Sequence, residues 1–73
     1  MTNDNIIMLC RAARKAHGIT QEQLAIKSGW SVSSISWFEH GHYSAELAKH
    51  YRNYVLNPAE QNTFDRIMEE WER

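Results

Sequence analysis

The chain is interrupted so regularly by helix stops and helix starts that no element in it can be long. Gly18, Gly29 and Gly41 each suit the left-handed position just past a helix end, and each is followed within three residues by Thr20, Ser31 or Ser44, whose side-chain oxygens can cap a new helix. Thr20-Gln21-Glu22-Gln23 has the form of a capping box. Asn57-Pro58-Ala59-Glu60 is a further start: Asn at the cap, Pro at the first helical position, and Glu three residues after the cap. Between these marks the apolar residues keep helical spacing. Ile6, Leu9, Cys10 and Ala13 recur at i, i+3, i+4 and i+7, and Phe64, Ile67, Met68 and Trp71 repeat the pattern. The expectation is an all-α chain, a compact bundle of about five short helices in one domain over residues 1–73. The first helix should run from about Asp4 to His17, the second from Gln21 to near Ser28, and the third from the Ser31 cap to Gly41. The fourth carries Leu47, Ala48, Tyr51, Tyr54 and Val55, and residues 57–73 form the last.

A chain of 73 residues holds one core, and a core of that size rarely supplies more than roughly 3–5 kcal/mol by itself, so help from a second subunit is expected. One cysteine, Cys10, cannot form an internal disulfide, and the start MTNDNIIML lacks a basic segment leading into a long apolar run. Both features point to a reducing cytoplasm and no membrane span. The net charge of −1 argues at first against a polyanionic partner, yet it is unevenly distributed. Residues 1–56 carry six Lys and Arg against four acids, a balance of +2, while residues 57–73 carry two against five, a balance of −3. The two parts are expected to do different work.

The residues that carry chemistry elsewhere are poorly arranged for it here. His17, His40, His42 and His50 include only one H-x-H pair, and Cys10 sits on an apolar stripe, so no four-ligand zinc spacing exists and no metal or cofactor is expected. The serines of residues 31–36 have no evident His and acid partners, and there is no Gly-rich phosphate loop, so no enzyme is expected.

Two short helices joined by a Gly-containing turn make a helix-turn-helix, whose second helix can project into a DNA major groove. QEQLAIKSG followed by WSVSSISWFEHG resembles the Cro and phage-repressor (lambda-repressor-like) helix-turn-helix family, also called the xenobiotic-response-element family. Ala25, Gly29, Ser31, Ile35, Glu39 and Gly41 carry the resemblance, which extends over about residues 9–42 and is only loose from Ser44 onwards. It implies a DNA-binding regulator. Arg14 and Glu39 stand where family members often pair helix one with the end of helix three. The positions facing base edges would be Val32, Ser33, Ser36 and Trp37, and phosphate contacts would come from Gln21, Ser34, His40, His42 and Tyr43. Ser bonds almost any base edge and Val packs on a thymine methyl, so readout does not require charge.

Trp30 reads as a core anchor. Trp37 fits two roles about equally, lying along sugar and thymine-methyl surface or folding back on the module, and a third option is that it meets a protein partner. Phe64, Ile67, Met68 and Trp71 either complete the core or pair two copies, and a homodimer on palindromic double-stranded DNA is the expected form. A phage, prophage or plasmid repressor is the leading expectation. The alternatives are an antitoxin that also binds a toxin, or a helix-turn-helix used only for protein contacts.

Overall fold

The computed structural model describes residues 2–72, with the side chains of residues 4–70. The expected punctuation becomes five helices: α1 (Thr2–Ala16), α2 (Gln21–Ser28), α3 (Val32–Glu39), α4 (Ala45–Tyr54) and α5 (Pro58–Glu72). Helix one starts two residues earlier than Asp4 and stops one residue short of His17. The caps explain why the other boundaries fall where they do. Thr20 Oγ1 accepts from the Gln23 N–H at 3.1 Å while Gln23 Oε1 accepts from the Thr20 N–H at 2.9 Å, closing the capping box. Ser31 accepts from the Ser34 N–H, and Asn57 and Glu60 exchange two bonds of 2.8 and 2.9 Å at the start of α5. Gly29, with φ of +80°, takes a left-handed turn that is cheap only without a Cβ.

α1 is the hub of the packing, in contact with α3, α4 and α5, while α2 packs on α3 and α4. Ile6, Ile7, Cys10 and Ala13 from α1 meet Leu24, Ile35, Phe38, Leu47, Ala48, Tyr51 and Phe64 in one continuous core. Trp30 packs half-buried against it, its ring edge-on to His50 with centroids 5.8 Å apart. His50 is itself half-buried and stacked on Tyr54.

The α5 stripe meets the domain's own core. Phe64 is buried in the domain's own core and Ile67 and Met68 pack half-buried against it, because α5 lies along α1. These three residues take part in the monomer's own core, Phe64 fully and Ile67 and Met68 with one side still open. The side chain of Trp71, the fourth member, lies outside the described residues. α4 and α5 are further tied by a two-pronged ion pair, Arg52 Nε and Nη2 donating to Asp65 at 2.7 Å each.

Candidate nucleic-acid interface

α3 divides into an inner and an outer face. Ile35, Phe38 and Glu39 are buried, while Ser33 and Trp37, four residues apart and therefore on one side, are exposed. Val32, Ser34 and Ser36 lie half-buried along the edge of that surface. α2 crosses behind, with Ala25 half-buried against the core.

What fixes α3 is a buried polar cluster around Glu39. Arg14 donates Nε to Glu39 Oε2 at 2.6 Å and Nη2 to Oε1 at 2.8 Å, the forked geometry that suits guanidinium to carboxylate. Its remaining arm, Nη1, donates to the Ile19 carbonyl at 2.8 Å, so one side chain ties α1 to α3 and to the loop before α2. The Tyr51 hydroxyl from α4 donates to Glu39 Oε2, and Gln21 Nε2 donates to Oε1 at 3.3 Å. Burial by itself would raise the Glu39 carboxyl, but the hydrogen bonds from Arg14 and Tyr51 and the Arg14 charge outweigh it and hold the group below the ordinary carboxylate range. Burial, reinforced by the bond to Glu39, pushes the Tyr51 hydroxyl upward. Tyr51 and Gln21 were not legible as members of this cluster. Tyr51 shows in the sequence only as one of the apolar positions of α4.

The expected phosphate contacts separate into three kinds. Gln21 turns its side chain inward to Glu39, which leaves its backbone N–H, in the first turn of α2, as the group that faces outward chemistry. Glu22 stands exposed in the same turn and opposes an anion there. Ser34 accepts from the Ser31 hydroxyl at 2.9 Å and keeps its own proton to give. His40 and His42 are exposed at the end of α3. The His40 Nδ1 lies 2.7 Å from the Ser36 carbonyl oxygen, and since a carbonyl only accepts, Nδ1 carries the proton and Nε2 is the free position. Tyr43 is a correction: its ring packs half-buried beside Phe38 and its hydroxyl donates to Met68 Sδ at 3.8 Å, so the side chain points into the domain and not toward a phosphate.

Trp37 and His42 form a stacked pair, with ring centroids 4.7 Å apart and planes only 7° from parallel. Gly41, with φ of +112°, allows the chain to double back so that the His42 N–H approaches the Trp37 carbonyl at 3.4 Å. Trp37 nevertheless remains 52% exposed. His17, by contrast, is occupied elsewhere, its Nε2 lying 2.8 Å from Glu60.

Two short helices at a glycine turn, the second locked by its last residue to α1 and bearing an outward polar face, define a helix-turn-helix domain. The model of the helix-turn-helix family matches residues 11–49, which is 39 of the 73 residues and more than half of the chain. The chain belongs to this family, in its Cro and repressor type, and at that level is a DNA-binding transcription regulator. No curated protein and no solved structure matches the chain. Among the described residues no three His, Cys, Asp or Glu side chains gather as a metal site would need, and no helix is long and apolar enough to cross a membrane.

Proposed function

We propose that the protein is a repressor of phage, prophage or plasmid type, which occupies a palindromic operator as a homodimer and so blocks transcription. The observation that carries the reading is α3 itself, held by the Arg14–Glu39 pair with Val32, Ser33, Ser36 and Trp37 along its outer side. These four residues would enter the major groove. The α2 amino terminus at Gln21, the Ser34 hydroxyl, and His40 and His42 would hold the phosphates on either side. A single module of this size makes few contacts, and a twofold pair doubles them. The open side of the α5 stripe, at the half-buried Ile67 and Met68, is the candidate pairing surface.

Selection of bound duplexes from a randomised library tests this reading, with sedimentation of free and bound protein alongside. A palindromic consensus and two chains per duplex are expected. Asymmetric sites bound by one chain would remove the homodimer, and no salt-dependent retention of any duplex would remove DNA binding. One observation favours a second reading, an antitoxin: Ile26 on α2 is 84% exposed beside a shallow groove lined by Ile19, Gln23 and Lys27. A toxin would cover that apolar side chain. Charged substitution at Ile26 that releases the product of a neighbouring gene, with operator binding intact, would establish it.

A further inference from the structure

The outer face of α3 lacks every side chain that usually tells one base pair from another. Guanine is read by the paired donors of Arg or the ammonium of Lys, and adenine by the amide of Asn or Gln. The helix VSSISWFE contains none of these, and its one ionised residue, Glu39, is buried and committed to Arg14. Ser33 and Ser36 can donate to or accept from any base edge, so their hydroxyls discriminate weakly. What remains is apolar: the Val32 methyls, and above all the Trp37 indole. The stack on His42 holds that indole in one orientation, so little rotamer freedom is left to lose on binding. The apolar group in the major groove is the 5-methyl of thymine.

We propose that this protein recognises DNA through thymine 5-methyl groups, with Trp37 as the specificity-determining side chain, His42 as its positioning residue and Val32 as a second apolar contact. The proposal rests on the DNA-binding reading above and deepens it. Half-sites should carry thymines where Trp37 and Val32 meet the groove, and their methyl groups should account for the preference.

Deoxyuridine isolates the claim, because it keeps every hydrogen-bonding atom of thymine and lacks only the methyl group. Duplexes recovered from the randomised library are remade with deoxyuridine at single thymine positions and titrated by fluorescence anisotropy against the wild-type chain, Trp37→Ala, His42→Ala and His42→Phe. Wild-type protein should lose about fourfold in affinity for each contacted methyl, the value of one buried methyl-sized group. Trp37→Ala should bind the two forms alike at the Trp37 position. His42→Ala should lose part of the discrimination, and His42→Phe, which retains a stacking ring, should keep it. Circular dichroism melts show that each variant is folded. Equal wild-type affinity for thymine and deoxyuridine duplexes overturns the proposal while leaving DNA binding in place, as does a difference that survives undiminished at every thymine position in Trp37→Ala. Failure to retain any duplex overturns the DNA-binding reading, and this inference falls with it.

Discussion

Replacing Glu39 with Ala should come close to unfolding the domain. Arg14 is 9% exposed and gives two of its three bonds to the Glu39 carboxylate, so in Glu39→Ala a buried guanidinium keeps only the Ile19 carbonyl. The Tyr51 hydroxyl loses its acceptor in the same step. Breaking a buried pair from one side costs about 3–5 kcal/mol, because the remaining charge is left uncompensated. A domain of 73 residues is stable by only about 4–11 kcal/mol at about 0.05–0.15 kcal/mol per residue, so the loss is a large part of the whole. At about 4–8 °C per kcal/mol for a domain this small, the Tm should fall by at least about 12 °C, read by circular dichroism with urea melts alongside. The second arm removes both charges. Arg14→Met with Glu39→Leu should recover much of the loss, since neither desolvated ion remains. A Tm lowered by less than about 4 °C in Glu39→Ala would refute the argument, because it would mean that the guanidinium reaches water at almost no cost.

Acid should destabilise the protein in a defined direction. Glu39 is held below the ordinary carboxylate range for the reasons given above, and so are Glu60, by its bonds to His17 and Asn57, and Asp65, by its bonds to Arg52. Groups depressed in the fold contribute stability above the unfolded carboxylate range and lose it as pH falls, so urea midpoints should be flat above about pH 5 and drop below about pH 4, with Glu39 the main source because the other two are solvent-screened. Burial raises the Cys10 thiol to about 12, so a disulfide reagent at about pH 8 should label it only through unfolding, at a rate that rises with urea; fast labelling of native protein would show that Cys10 is accessible. Val32→Ala should weaken the preferred duplex by about 1 kcal/mol and Ser33→Ala by less, with non-specific binding almost unchanged, in paired titrations of selected and scrambled sites.

The caps and stops were legible because they are local: a Ser or Thr oxygen reaches an N–H three residues on, and a glycine turn needs only its own backbone. The family resemblance placed α3 by the same short-range pattern. What the sequence left open was which surface an apolar stripe meets. The stripe of Phe64, Ile67 and Met68 must be buried somewhere, but its periodicity is the same whether a neighbouring helix or a second chain covers it. Ile7 was the missing signal. It lies outside the Ile6, Leu9, Cys10 and Ala13 stripe, yet it is only 5% exposed, so α1 buries a wider face than that stripe and needs the several neighbours, α5 among them, that it meets. The placement of Tyr43 and of His50 was not legible for a related reason. Each is amphipathic, with a ring that packs and a polar tip that suits a phosphate, and only the tertiary arrangement turned both rings toward Met68, Trp30 and Tyr54.

The scarcity of charge on this module is itself a property of its fold. Arg14 is spent on holding α3 in place and Arg52 is paired with Asp65, so two of the cations are tied into the scaffold. Glu22 at the α2 amino terminus opposes phosphate where the helix end would favour it. Non-specific affinity comes almost wholly from phosphate neutralisation, with a logarithmic salt slope of about −0.9 per phosphate, so a chain of this kind starts from weak binding to arbitrary sequence. Contacts at base edges then weigh more heavily in the total. Because specificity is the ratio of the two affinities, a small set of apolar groove contacts from Val32 and Trp37 can discriminate usefully without a large cationic surface, provided that α3 is rigid enough to present them in register. That rigidity is what the Arg14, Glu39 and Tyr51 cluster supplies. The same residues that remove charge from the DNA-facing surface therefore make an uncharged reading helix workable.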